Sequence, residues 1–429
     1  MIRRTLRLGA LLCLIAGSLA LLPMAASAAR NMTSDGANPV YQSGTVPGTV
    51  PTSPLPTPTS TTRPVTPPRP TPRPTNPAPP PRPVPPAPNR AAPAENSRGY
   101  ARIGDDVLLK VIGDRLSPVI YGFTASERVY WSPDDGLLWR YVTTRPEVED
   151  FMMSSADPLT LYSGAGNDCS EEAAEPAPFY YSDSRGKQWD EMAQGAGLTP
   201  LVIDPSDALH IFAADCDLPF VSEDGGATWM AQPGDRSSSP WLTARMTVMA
   251  ATELAGSGDE EGGPAWNALY AAGVTAAGEY ILAYSEDGGV TWTAMTPEEG
   301  DVPTDVSVLE ADPYTAGSLW AADSQGVWMT QDFGASWTLI SDGLGRILQG
   351  GSANSAAAIT DLAYAPATGQ LFLAGKRGLY VLPPAADAWE QVKGEAYSLT
   401  PLDSLLLTES NPNVLWVNAA DGVYRHRIQ

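Results

Sequence analysis

Tyr284-Ser285-Glu286-Asp287-Gly288-Gly289-Val290-Thr291-Trp292 sets the interpretation of the whole chain, because variants of it recur over the last three-quarters of the sequence. The shared pattern is Ser/Thr-x-Asp-x-Gly-x-x-Trp. It reads at Ser222/Asp224/Gly226/Trp229, Ser285/Asp287/Gly289/Trp292 and Thr330/Asp332/Gly334/Trp337, and at Ser182/Asp183/Gly186/Trp189 when one residue of slack is allowed. Weaker copies stand at Ser132/Asp134/Gly136/Trp139 and around Asp387 and Trp389. Self-similarity at such a period is the mark of a repeat architecture.

The chemistry of the unit favours a tight turn between two strands. Asp caps its own backbone and Gly accepts φ > 0, as a short hairpin requires. The flanks, Tyr280 to Ser285 and Val290 to Met295, are β-branched, aromatic or apolar, as strands prefer. Asp134, Asp183, Asp224, Asp287 and Asp332 are therefore expected to be structural. Trp139, Trp189, Trp229, Trp292 and Trp337 are expected to be wedges between neighbouring sheets.

Charge divides the 429 residues unevenly. Residues 1–98 hold 10 of the 26 Lys+Arg and 2 of the 49 Asp+Glu, a net +8, which leaves −31 on residues 99–429. So acidic a domain is expected to be soluble and a poor binder of nucleic acid or anionic membrane. Arg3, Arg4 and Arg7, the apolar run Leu8 to Leu22 and the small residues Ala26-Ser27-Ala28 make residues 1–28 a targeting segment. The protein is thus expected to be exported, secreted or held at the cell envelope. The longer stretch Leu8 to Ala29 is just long enough to serve uncleaved as a membrane anchor, with its basic end inside.

Residues 29–98 form a linker. Between Pro39 and Pro93 lie 21 of the 42 prolines, with Arg63, Arg69, Arg73, Arg82 and Arg90 among them. Such a composition cannot bury enough apolar surface to order itself, and it favours an extended polyproline II spacer. Its arginines have two readings, contact with an anionic polymer or simple solubility. After the leader only Cys169 and Cys216 remain. In an exported chain that pair predicts a disulfide, the alternative being two free thiols.

From residue 99 to the end, each repeat divides into four short strands. Asp157-Pro158, Asp204-Pro205, Asp312-Pro313 and Asn411-Pro412 start the turn between the first and second. Successive Trp positions from Trp139 to Trp389 are 50, 40, 63, 45 and 52 residues apart. Seven units follow, near 106–143, 149–194, 199–233, 241–297, 304–343, 357–395 and 402–429, and they predict an all-β, seven-bladed β-propeller of four-stranded antiparallel blades. The last unit stops after three strands. Its fourth is expected from the start of the domain, around Tyr100 to Ile103, so that the N- and C-terminal strands share one blade and no edge is left open.

These turns and their rhythm resemble the Asp-box, or BNR-repeat, propellers over residues from about 100 to the end, most of all the sortilin-like and photosystem II assembly-factor branches. The family also contains sialidases and xyloglucanase-like glycoside hydrolases. The motif speaks for the repeat and not for an activity. A sialidase-like site implies an Arg-Ile-Pro element, but Arg102-Ile103 is followed by Gly104. Xyloglucanase-like catalysis implies two propellers about a cleft with paired carboxylates, and this chain has residues for one propeller. Assembly-factor relatives imply a basic patch that a −31 domain does not advertise.

Other chemistries find less. His210 and His426 fall in predicted strands, no His/Cys cluster has zinc spacing, and Asp259-Glu260-Glu261 lacks the alternating ligands of a calcium loop. No metal and no cofactor are expected. Propeller geometry places a binding face where one blade connects to the next and where second strands connect to third. That face is expected to include Arg145 and Glu147, the long loop 164–177 with Cys169, Asp235, Arg236, Trp241, Asp305 and Arg346, with Trp241 as an exposed anchor. The sequence thus reads as an exported, monomeric, non-catalytic binding module for a protein or glycan. The alternatives are a glycoside hydrolase working through two carboxylates and an assembly factor for a membrane protein complex.

Overall fold

A computed structural model of the protein describes residues 100–167, 169, 175–232, 240–253, 266–297, 300–348 and 358–429. The targeting segment, the proline-rich linker, Asp235, Arg236 and the Asp259-Glu260-Glu261 insertion lie outside the described residues.

Local hydrogen bonds build the hairpins. In the fourth repeat the Ser285 hydroxyl donates to Asp287 Oδ1 at 2.8 Å and accepts from the Gly289 N–H at 2.8 Å. Asp287 in turn accepts from the Thr291 N–H at 2.8 Å, and the Thr291 hydroxyl donates to its Oδ2. Gly288 and Gly289 sit at φ 70° and 88°, where a side chain is strained. The Ser/Thr-to-Asp and backbone N–H bonds recur at Ser132/Asp134, Ser222/Asp224 and Thr330/Asp332, and the hydroxyl bond to Oδ2 recurs from Thr228 and Ser336 but not at Leu138.

The second repeat corrects the sequence reading. Ser184, not Asp183, stands opposite Ser182: its Oγ lies 3.2 Å from the Ser182 hydroxyl and accepts from the Gln188 N–H at 2.9 Å. Counted from Ser182 to Trp189 the motif needs no slack. Ser has simply replaced Asp at its third position, and Asp183 projects outward as an exposed residue.

Among the described residues these hairpins assemble into seven antiparallel sheets, five of them four-stranded, the first with the short strand Arg102–Ile103 added at its inner edge and the seventh three-stranded. The fourth runs Ala244–Glu253, Trp266–Thr275, Tyr280–Ser285 and Thr293–Ala294 in that order. The first strands of the seven sheets are Asp106–Gly113, Met152–Met153, Thr199–Ile203, Ala244–Glu253, Val308–Ala311, Ile359–Ala365 and Leu402–Leu407. Each touches the first strand of the next sheet, and the seventh touches the first, so the sheets form a closed ring. The molecule is a seven-bladed β-propeller.

Its core lies between blades, not within them. Seven apolar clusters each draw on two adjacent blades. The turn tryptophans are the wedges: Trp139 meets Trp416 of the seventh blade at 6.4 Å, Trp229 meets Phe179 at 5.4 Å, and Trp292 meets Trp241 at 4.5 Å. Second-strand tyrosines add polar bolts. Tyr121 donates to the Pro158 carbonyl at 2.7 Å, Tyr162 to that of Ala208 at 2.8 Å, and Tyr270 accepts from the Gly317 N–H at 2.7 Å.

The seventh sheet has three strands of its own, Leu402–Leu407, Val414–Ala419 and Gly422–Arg427. The start of the domain lies against its edge, where the Ala101 N–H donates to the Val423 carbonyl at 2.8 Å and the Tyr100 hydroxyl to Asp421 at 2.8 Å. Past that point Arg102–Ile103 turns and pairs with Asp106–Gly113 of the first blade, so the strand expected to complete the seventh sheet belongs to the first sheet instead and meets the seventh through Tyr100 and Ala101. Gly422, at φ 146°, leaves room for the Tyr100 ring, which an added Cβ would meet at 2.7 Å.

Candidate functional site

Strand direction gives the ring two rims. On one lie the turns that join third to fourth strands, with their Asp residues. On the other lie the connections from blade to blade and those from second to third strands. On this second rim, blades 1 and 2 carry two adjoining clefts that share Glu149.

The first cleft, of about 560 Å³, is lined by Leu109, Lys110, Phe123, Thr124, Ala125, Glu127, Arg128, Arg145, Pro146 and Glu149. A bulge shapes it. Leu108 pairs with Thr124 and Lys110 with Phe123, so Leu109 is left without a partner and is 44% exposed. Arg145 sits in the left-handed region at φ 54°, with its N–H donating to the Glu127 carbonyl at 2.7 Å and its Nε to Glu127 Oε2 at 3.2 Å. Lys110 pairs with Asp150 at 2.8 Å. Side chains as exposed as Arg145 (85%) and Asp150 (78%) give ion pairs worth about 0–1 kcal/mol, which a ligand can exchange cheaply.

The second cleft, of about 440 Å³, runs from Glu147, Glu149 and Asp150 across Met152, Tyr180 and Pro178 to Thr199 and Pro200. Beside it Cys169 and Cys216 are bonded, with Cα atoms 5.4 Å apart, tying the second blade's loop to the third blade.

The other residues expected on this face are dispersed. Asp305, at φ 50°, and Arg346, in the short helix Gly345–Leu348, are exposed and belong to the connections entering blades 5 and 6. Trp241 is not an exposed anchor. It is 5% exposed, because the 3-10 turn Pro240–Thr243 folds its ring onto Trp292. It belongs to the core between blades 3 and 4.

Carboxylates do gather inside the ring, around Arg115. This side chain leaves the first blade and reaches the fifth and sixth, donating to Glu310 at 3.2 Å and to the Tyr364 carbonyl at 2.8 Å. Glu310 also accepts from the Tyr364 N–H at 2.8 Å, and Asp361 accepts from the N–H groups of Leu405 at 2.7 Å and Leu362 at 2.9 Å. Burial drives Asp361 up to about 7, and the Glu310 charge adds to that; burial also raises Glu310 and takes Asp114 up to about 6. Asp361 is half-buried. These oxygens stitch blades together through backbone N–H groups. A hydrolytic pair instead needs oxygens aimed at a glycosidic bond and at water.

His210 is held in the same structural way, its Nδ1 3.1 Å from Asp204 Oδ2. Burial acts to raise Asp204, but hydrogen bonds from His210 and Ser206 outweigh it and hold the carboxyl below its usual range. His426 Nδ1 lies 2.7 Å from the Tyr397 hydroxyl. Among the described residues no group of three or more His, Cys, Asp or Glu is arranged to hold a metal.

No family model matches the sequence, and no curated protein matches it. Solved structures do. The chain is similar to a GH74 xyloglucanase from Xanthomonas campestris, at 16% identity and a TM-score of 0.50, over 79% of this chain and 53% of that one. It thus spans about half of the xyloglucanase. It is also similar to YCF48 bound to D1 peptide (14% identity, TM-score 0.46, 80% of this chain and 99% of that one). A third is the extracellular domain of a putative one component system from B. thetaiotaomicron (11% identity, TM-score 0.48, 80% and 40%). The likeness is one of fold. This chain is a β-propeller.

Of the expected face, the propeller brings Arg145 into the first cleft and Glu147, with the start of the 164–177 loop, into the second, while Asp235 and Arg236 lie outside the described residues. Lys110, Leu109, Glu149 and Tyr180 were not foreseen. The one signal in the sequence was the run Glu147-Val148-Glu149-Asp150, acidic residues in a blade-to-blade connection.

Proposed function

We propose that the protein is an exported, non-catalytic binding module of the Asp-box propeller type, monomeric, which engages a protein or glycan outside the cytoplasm. The observation that carries this reading is the pair of clefts on the rim of blades 1 and 2. They join open apolar surface to exposed, exchangeable charges, the mix that binding faces use. Export rests on the leader of residues 1–28, and the family branch on the Ser/Thr-x-Asp turns. The hydrolase alternative finds less support, since Glu310 and Asp361 spend their oxygens on Arg115 and on backbone N–H groups.

The test offers the full-length protein a panel of envelope and extracellular polysaccharides and purified envelope proteins, scoring both retention and reducing-end release. Retention without release is expected, and it should fall in a Leu109→Asp/Arg145→Glu variant, whose changes lie at exposed positions. Release of reducing sugar would overturn the non-catalytic reading. Retention that the variant leaves untouched would remove the first cleft from it.

A further inference from the structure

The second cleft has a composition that selects among ligands. Pro178, Pro200, Met152 and the half-buried Tyr180 give it a stiff, largely apolar wall. Glu147, Glu149 and Asp150 stand exposed along one side, and among the described residues that line it there is no Lys or Arg. The Lys110 ammonium meets Asp150 from the neighbouring cleft, through a pair exposed enough to be exchanged. The domain around it is −31.

A complementary ligand therefore carries cationic groups on a rigid apolar backbone. Proline-rich chains supply the backbone. Their polyproline II helix is already ordered before binding, so little conformational entropy is lost, and it docks on aromatic-lined grooves. Arginine supplies the charge, since its planar guanidinium pairs with carboxylates and stacks on aromatic faces.

The protein's own sequence illustrates how the two combine. In the run Arg63-Pro64-Val65-Thr66-Pro67-Pro68-Arg69-Pro70, prolines 64, 67 and 70 are three apart and arginines 63 and 69 six apart. With three residues per turn, a peptide of that sequence presents the prolines on one face and both arginines on the next, roughly 19 Å apart.

Resting on the reading of this rim as a binding face, we propose that the cleft between Glu147 and Pro200 binds extended, proline-rich, arginine-bearing peptide segments of partner proteins. Prolines pack on Tyr180, Pro178 and Pro200, and arginines pair with Glu147, Glu149 and Asp150.

The test uses a fluorescent peptide spanning residues 61–75, titrated against the full-length protein and followed by anisotropy. A full-length Arg63→Gln/Arg69→Gln/Arg73→Gln variant serves in parallel, so that the protein's own copy of the sequence cannot mask the cleft. Saturable binding is expected, with affinity falling about tenfold or more in a Glu147→Gln/Glu149→Gln/Asp150→Asn variant. The same loss is expected for a peptide with its prolines changed to alanine and its arginines kept. Equal affinity for that peptide reduces the effect to bulk charge and overturns the proposal. Equal affinity for the cleft variant, or no saturable binding to the variant with glutamines in place of its arginines, does so too. If peptide binding fails while the cleft variant still loses retention on the polysaccharide and protein panel, this ligand class falls and the binding face stands. If retention is also unchanged, both fall.

Discussion

Asn418 and Val111, 307 residues apart in sequence, are joined by two hydrogen bonds: the Val111 N–H donates to Asn418 Oδ1 at 2.8 Å, and Asn418 Nδ2 donates to the Val111 carbonyl at 2.9 Å. The amide imitates a neighbouring strand and seals the seventh blade to the first. Both partners are buried, so removing the amide orphans a donor and an acceptor. Asn418→Leu should cost about 2–4 kcal/mol in urea unfolding. Asn418→Asp should cost as much, because it sets a carboxylate against the Val111 carbonyl. A loss under about 1 kcal/mol in both would mean that the ring closes without this seam.

The turns make a graded series. Asp287 accepts two bonds from Thr291 and one from Ser285, so Asp287→Ala should destabilise by about 1–2 kcal/mol, in the range of lost capping side chains. The second blade has the weaker version, with Ser184 in the Asp position. Ser184→Asp should therefore stabilise, by about 0.5–1 kcal/mol. Thermal melting of the two variants beside the wild type decides it, and a fall in Tm for Ser184→Asp would refute the assignment of that turn.

What was legible in the sequence was what is local. Asp caps, positive-φ glycines and the following Trp act within about ten residues, so blade number and wedge positions could be read before the fold was known. The second turn slipped by one because an Asp happens to stand beside the Ser that does the capping. Trp241 was misplaced for another reason: whether a large ring lies on the rim or under it depends on Trp292, which no local pattern reveals. The cleft was hidden for the same kind of reason. Leu109 is exposed only because strand pairing skips it, and Arg115 crosses to partners in blades 5 and 6.

Stability should respond to pH in two opposed ways. Hydrogen bonds from Thr228 lower Asp224. Burial acts to raise Asp287, but Thr291 outweighs it, and the Ser336 hydroxyl lowers Asp332. Lowered carboxyls contribute stability above the unfolded value near 4 and lose it as pH falls through the folded value. Asp361 and Asp114, raised to about 7 and about 6, do the reverse: their contribution is full below about 4 and is lost as pH rises to those values. The protein should thus be most stable near pH 4–5 and weaken toward about 7. Asp361→Asn keeps an acceptor for the Leu405 N–H and should flatten the upper limb by on the order of 2 kcal/mol, discounted for the partial exposure of this half-buried group. Melting curves from about pH 3 to 8 test it; a limb of unchanged slope in Asp361→Asn would acquit this carboxyl.

The Cys169–Cys216 bond closes a loop of separation 47 between blades 2 and 3, beside the second cleft. Loop-closure entropy for that length gives an upper value of about 4 kcal/mol, and native disulfides of exported domains deliver about 2–5. Reduction, or the paired Cys169→Ser/Cys216→Ser variant, should therefore lower unfolding stability by about 2–4 kcal/mol. It acts on the unfolded chain, so the ring itself should persist, and the far-ultraviolet spectrum at low temperature should not change. The second cleft offers a finer readout, because one of its walls is the loop the bond restrains. Reduction should weaken peptide binding there more than it alters the cleft around Arg145. Equal stability of the reduced and oxidised protein would show that the two loops are held by packing alone.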